Sequence, residues 1–433
     1  MISCSLEAIN NIPCLLLTLA TILTVTLLIR NKQQRSKPAA GLNLPPGPWQ
    51  LPIIGNIHQL IGHRQPHRRL RSLAHKYGPD VMSLQLGELS YIVISTPEAA
   101  QQVMKTHDLE FASRPSLLAP NVLFNGCKDI AFAPYGEYWR QMRKIGVLEL
   151  FSGKRVQSFR RVREEEVSNL VDSIALLAET GEAVDLTSMM SAVTSAVTSR
   201  AAFGKAPEED MVDVLLNHQE NQDLGIPITD EVIKGVTLEL FLAGIDTSTT
   251  AFEWIMSEMI VNPTVLKRAQ EEVRQVFADG SVDEAGLRQL KYLDMVISEV
   301  LLPRENAEKA TLDAYDIPIN TKVIVNAWTI NRDSRYWTEP EKFYPERFMD
   351  GSVDYRGTHF QFIPFGAGRR MCPGMSFSLA IVKLTLASLL FHFRWRVPTE
   401  MTREGLDMTE CFGAALRRKN ALRLIPVLFD DIA

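Results

Sequence analysis

The chain has 433 residues, 46% of them hydrophobic and 22% charged, with a formal net charge of −5. This is a globular composition with material for a large core, and mild acidity without a basic stripe argues against nucleic acid as a partner. The five cysteines, Cys4, Cys14, Cys127, Cys372 and Cys411, are scattered without a C-x-x-C pair. They define no disulfide framework or structural zinc site, and the body fits a reducing compartment.

At the amino terminus there is no charge between Glu7 and Arg30, and 12–29 is almost wholly apolar. An uncharged run of about 20 residues suits a bilayer-spanning helix. Arg30, Lys32, Arg35 and Lys37 follow at once, so the positive-inside rule turns the body toward the cytosol. A cleaved signal peptide would want positive charge before the run and a small-residue cleavage site after it, and neither is present. The expected division is a membrane anchor over 1–30, a basic and proline-rich linker over 31–48, and one catalytic body over 49–433.

Within the body, helical spacing over 70–77 ends at Gly78-Pro79, and strands are expected over 81–86 and 91–95 around Gly87-Glu88. Thr96-Pro97 then opens another helix. Further helices are expected over 136–151, 155–178 and 186–203, the last capped by Asp185. Trp139 and Arg143 lie four apart, hence on one face of the first of these.

The longest helix is expected over 229–260, capped by Thr229 and stopped by Asn262-Pro263. Lys234, Glu239, Asp246 and Glu253 give it too many charges for a second membrane span. Its middle, A-G-I-D-T-S over 243–248, is weak, because Gly244 costs about 1 kcal/mol relative to alanine. That weakness predicts a groove over a ligand. Helices over 263–278 and 287–302, a strand over 322–326 and a helix over 375–391 complete the pattern, with a turn at 410–414 between two terminal strands. The fold class is mostly α with a small β subdomain.

The stretch 365–374 reads F-G-A-G-R-R-M-C-P-G. Arg369 and Arg370 offer Cys372 the positive surroundings that favour a thiolate. Gly366, Gly368 and Gly374 let the backbone approach something large and flat, and the helix that follows turns its positive end to the sulfur. The reading is an axial ligand to haem iron, against a plain buried cysteine. A dinucleotide loop is excluded because its third glycine would fall on Met371.

The frame F-x-x-G-x-R-x-C-x-G, met by Phe365, Gly368, Arg370, Cys372 and Gly374, resembles the haem-binding signature of the cytochrome P-450 family. P-P-G-P-W-Q-L-P-I-I-G-N, F-A-S-R-P, D-I-A-F-A-P-Y-G-E-Y-W-R and F-Y-P-E-R-F look like plant microsomal members, terpenoid hydroxylases in particular. The resemblance implies haem b with Cys372 as axial thiolate, and Trp139, Arg143, Arg304 and Arg370 on the propionates. Asp246 and Thr247 would deliver protons during oxygen activation. Two electrons would come singly from an NADPH-dependent reductase, and one atom of O2 would enter an apolar small molecule, a terpenoid. The turn at 410–414 would dip into the substrate pocket, with residues from 116–132 and the helix near Ala243; Asn125, Cys127 and Phe412 are candidates there. The place implied is the endoplasmic reticulum membrane, single-pass, with the catalytic domain facing the cytosol.

Two departures stand out. A-A-F-G-K over 201–205 runs almost directly into E-E-D-M-V-D-V-L-L over 208–216, where the family places roof helices and a gating loop. The family's E-x-x-R is also broken, since Leu302 stands three after Glu299. Glu299 would pair with that arginine and with Arg347, and loss of one partner of a buried charge network costs roughly 3–5 kcal/mol. Arg304 lies beyond the helix-ending Pro303 and cannot substitute. Both departures read as segments removed from intact frames, as an altered splice or gene model produces. A catalytically impaired variant and a haem-thiolate isomerase or dehydratase are the other readings; intact Asp246 and Thr247 weigh against the latter.

Overall fold

The computed structural model describes residues 18, 19, 21, 42–204, 210–222, 225–297, 304–305, 310–398, 402, 405–413 and 415–429. The expected anchor (Thr18, Leu19 and Thr21, all helical, excepted), most of the linker, the join at 205–209, Glu299, Leu302 and the side chain of Arg304 lie outside them.

Helix α1 (Pro66–Tyr77) starts on a proline and buries Leu70, Leu73 and Ala74, the face that its spacing predicts. Strands β1 (Val81–Leu86) and β2 (Leu89–Ile94) pair antiparallel from Val81↔Ile94 to Leu86↔Leu89 across Gly87. Helix α2 (Glu137–Ile145) is shorter than the expected 136–151, because its continuation Gly146–Leu150 widens into a π turn. The run over 155–178 likewise breaks at Phe159, giving Gly153–Ser158 and then α3 (Arg160–Ala178). Helix α4 (Leu186–Phe203) has the expected bounds, and the Asp185 carboxylate caps it by accepting from the Ser188 amide at 2.9 Å.

Helix α5 (Asp230–Val261) runs unbroken through Ala243–Ser248, the stretch that propensity marks as weak, and that stretch lies over a cavity, as expected. Tertiary packing keeps it unbroken. The Thr194 and Thr249 hydroxyls meet at 3.1 Å in the α4–α5 contact, and a Cβ on Gly244 would lie 3.5 Å from the Thr198 hydroxyl. Packing of this kind overrides a propensity deficit of about 1 kcal/mol. Of the helix expected over 287–302, the described part is a 3-10 turn, Gly286–Gln289, followed by the helix Lys291–Ile297; 298–302 lie outside the described residues.

Beyond lie β3 (Arg304–Glu305) and β4 (Lys322–Val325). The sheet order is β1-β2-β4-β3, with β2 and β4 parallel. Helix α6 (Met375–His392) is apolar on all sides because it is the central helix: Ile381, Leu386, Leu389 and Leu390 are wholly enclosed. Strands β5 (Phe393–Arg396), β6 (Glu410–Cys411), β7 (Arg417–Arg418) and β8 (Arg423–Leu428) end the chain. β8 pairs with both β5 and the short strand Val184–Asp185. One core thus joins α3, α4, α5 and α6, and the architecture is mostly helical with small sheets.

Candidate active site

The segment leading into α6 folds back on itself. The Cys372 amide donates to the Phe365 carbonyl at 3.0 Å, and between them Gly368–Arg370 forms a 3-10 turn. Gly368 sits at φ +63, and a Cβ there would lie 2.0 Å from the Met104 carbonyl oxygen. The glycine is therefore required by close approach to the Met104 backbone. Gly374 has ordinary room, its Cβ position being 3.7 Å from the Phe151 ring.

The two arginines also differ from expectation. Arg369 turns away from the sulfur: its amide donates to the Asp108 carboxylate at 3.1 Å and its side chain pairs with the same group. Arg370 is buried, donating to the carbonyls of Ala112 (2.7 Å) and Ala133 (2.6 Å) with a guanidinium that stacks on Trp139. The cation that acts on Cys372 is Arg143. Burial pushes the Cys372 thiol up, while the Gly374 amide, Arg143 and the Met375 amide pull it down. The first turn of α6 thus faces the sulfur, as the sequence predicts.

Cys372 opens onto a cavity of about 300 Å³. Phe365, Gly374 and Phe377 line it with the cysteine, as do Arg114, Arg143 and Arg370. Across from them α5 presents Glu239, Ala243 and Thr247, four residues apart and so on one face. The Thr247 hydroxyl donates to the Ala243 carbonyl at 2.5 Å. Asp246 is not among the described lining residues; its carboxylate lies 3.4 Å from Arg417 on β7. The expected pair therefore splits, with the threonine on the cavity and the acid on Arg417.

Trp139 does not line the cavity either. Its indole N–H is given to the Ile130 carbonyl at 2.9 Å. Arg143 lines the cavity and donates to the Met371 carbonyl at 2.5 Å. Arg304 holds its expected place on a strand beside Val323. Of the expected pocket segments, Ile130 and Ala131 face the cavity, whereas Asn125, Cys127 and Phe412 do not. The terminal turn reaches it through Ala415 and Leu416, while Phe412 is 62% exposed.

Two residues escaped the sequence reading. Arg114, the arginine of F-A-S-R-P, lines the cavity and donates to the Ala131 carbonyl at 2.9 Å. Glu239 lines it with a carboxylate that accepts the Ile130 amide at 2.8 Å. Burial pushes Glu239 up to about 8, with Asp129 adding to the rise and the Ile130 and Ala131 amides and Arg143 opposing it. Its spacing of four and eight residues from Ala243 and Thr247 was the available signal. One thiol at one end, apolar walls and arginines in the lining, Arg143 among them, suit a flat, apolar ligand that carries carboxylates and a soft metal ion.

The sequence profile of the family described as "Cytochrome P450" matches residues 45–209 and 205–423, two pieces that meet where the sequence departs from the family pattern. Cytochrome P-450 71D8 of Glycine max is 41% identical over 502 residues, covering 96% of this chain and 98% of its own. Tabersonine 6,7-epoxidase isoform 1 of Catharanthus roseus is 42% identical over 484 residues, covering 93% of this chain and 95% of its own. Both alignments are longer than the 433 residues of the chain. In three dimensions a zebra fish cytochrome P-450 solved with abiraterone superposes with a TM-score of 0.73 at 22% identity, covering 85% of this chain and 100% of the other, which shows the shared fold. A thiol-floored cavity under a long helix, a family profile spanning the body and relatives of this identity place the chain in the cytochrome P-450 family of haem-thiolate monooxygenases.

Proposed function

We propose that this chain inserts one atom of O2 into an apolar small molecule of the terpenoid class, drawing electrons from NADPH through a reductase. The observation that carries the reading is the convergence of Cys372, Arg143 and Thr247 on one cavity. Bound haem supplies a redox iron at which O2 is activated. Cys372 would hold the iron through its sulfur, where the Gly374 and Met375 amides and Arg143 favour the thiolate. Arg143, with Arg304 from its strand, would hold the propionates, and Arg370, whose guanidinium is given to backbone carbonyls, would support that wall. Thr247 holds a proton at Oγ1, now given to the Ala243 carbonyl. Asp246 brings protons from the Arg417 side, and Leu240, Ala243 and Leu416 keep water from the substrate. A relative named as an epoxidase supports oxygen transfer. The anchor over 1–30 would hold the body at the cytosolic face of the endoplasmic reticulum.

A second reading is favoured by the two-piece profile match and by alignments longer than the chain. In it the chain is a splice or gene-model variant that lacks roof helices and the E-x-x-R arginine. Arg347, the arginine expected to meet Glu299, donates to the carbonyls of Tyr344, Glu339 and Lys342. A reduced carbon monoxide difference spectrum of the full chain separates the readings. The red-shifted Soret band of a thiolate-ligated iron supports the monooxygenase, and absence of any haem band supports the impaired variant. Turnover of a labelled terpenoid with a reductase then tests oxygen insertion itself.

A further inference from the structure

Glu239 is the one acid among the described residues that line the cavity, and the proton-delivery scheme does not use it. It stands on the wall formed by Leu240, Ala243 and Thr247 of α5, away from the cysteine loop in sequence but facing the same space. Its carboxyl is anchored: Oε2 accepts the Ile130 amide at 2.8 Å, and the Ala131 amide acts on it as well. A carboxyl offers about four lone-pair sites, so two backbone amides leave acceptor capacity, and Arg143 of the same lining acts on it by charge, with no hydrogen bond between them among the described contacts. A polar group fixed in an apolar wall costs free energy unless it is matched by a partner.

We infer that Glu239 is a specificity-determining residue that fixes a hydroxyl on a substrate whose skeleton is otherwise apolar. The inference rests on the proposed monooxygenase reading of the same cavity. A hydroxyl fits better than a cation because it both donates and accepts, and so matches a carboxyl in either protonation state. Glu239 and Thr247 are eight residues apart, about 12 Å along the helix. The hydroxyl therefore lies roughly 10 Å from the carbon presented beside Thr247. A substrate of this kind already carries a hydroxyl, so the reaction that supplies it is one that installs or unmasks an alcohol.

The test is a matched pair of ligands, a sesquiterpene hydrocarbon and its monohydroxylated counterpart, titrated against the purified full chain. Binding is read by the ferric spin-state shift and, independently of haem, by equilibrium dialysis of labelled ligand. The alcohol should bind roughly 10-fold more tightly, the worth of one good buried hydrogen bond. Glu239→Leu should erase that preference while leaving hydrocarbon affinity within about 2-fold, and Glu239→Gln, whose amide both donates and accepts, should retain it. Equal affinities in the wild type, or an undiminished preference in Glu239→Leu, overturn the inference. Should the leucine variant fail to fold, Glu239→Asp decides: withdrawal of the carboxyl by one methylene must reduce the preference, and an unaltered preference overturns it. Absence of a Soret band would sink the monooxygenase reading alone, because dialysis still reports on Glu239.

Discussion

Arg143 of α2 donates to the carbonyl of Met371, the residue immediately before Cys372, at 2.5 Å across 228 positions of sequence. The contact makes one guanidinium serve two purposes, tethering the cysteine loop to α2 and placing positive charge by the sulfur. Arg143→Leu should therefore cost roughly 2 kcal/mol of loop stability, the worth of a hydrogen bond to a charged donor, and should lower haem retention through gel filtration. Arg143→Lys should recover part of it, because lysine keeps the charge and loses the fork. Equal haem content in all three proteins would refute the tether.

Gly368 and Gly374 occupy the same motif but should respond differently to alanine. At Gly368 a Cβ meets a carbonyl oxygen at 2.0 Å in a left-handed backbone, so Gly368→Ala should cost about 1–3 kcal/mol or more. At Gly374 the nearest atom is an aromatic carbon at 3.7 Å, and the same change should cost less than about 1 kcal/mol. Urea midpoints of the two variants check the order.

Arg163 of α3 is wholly enclosed and pairs through two nitrogens with Glu284, with Nη2–Oε2 at 2.8 Å. Arg163→Leu strands a buried carboxylate and should cost roughly 3–5 kcal/mol. The double variant Arg163→Leu, Glu284→Leu should regain most of that loss, which a double-mutant cycle in urea measures.

Glu239 titrates at about 8 in the fold against an ordinary 4.5, so the folded chain holds a proton that the unfolded chain has released. Stability should fall as pH rises from about 4.5 toward 8. Glu239→Gln should flatten that slope by one proton in denaturant midpoints of the haem-free chain, and an unchanged slope would exclude the carboxyl as its source.

Glu410 has the opposite sign. Although burial raises it, hydrogen bonds from His67 and Arg68 and the charge of Arg68 hold it down at about 2. Its contribution is present above the ordinary 4.5 and is lost as pH falls toward 2. Arg68 is 48% exposed, so screening limits the contribution to on the order of 1–2 kcal/mol. Glu410→Gln should remove it at neutral pH and show little effect near pH 2.

Much of the fold was legible where one local rule acted without competition. Asp185 caps α4 because its carboxylate meets its own helix, and β1 and β2 pair in the register that Gly87 imposes. Rules failed where a distant partner intervened. The π turn at Gly146–Leu150 shortened α2, and Thr194 and Thr198 of α4 stiffened the stretch of α5 that propensity marked as weak. Phe412 was expected in the pocket and is exposed, with Ala415 and Leu416 in its stead.

By itself the sequence determined the cysteine frame, the family and the identity of the helices that carry Thr247 and Arg143, because spacing along one chain encodes which residues share a face. Only the tertiary structure decided which groups act on the sulfur. Arg370 is taken by the carbonyls of Ala112 and Ala133, and Arg369 by Asp108, leaving Arg143 from α2 as the cation at Cys372. It also decided that Glu239 faces the cavity and Asp246 faces Arg417. Charge and hydrogen-bonding capacity are written in residue type, but their direction is set by the nearest unmatched partner in space, and that partner is chosen by packing.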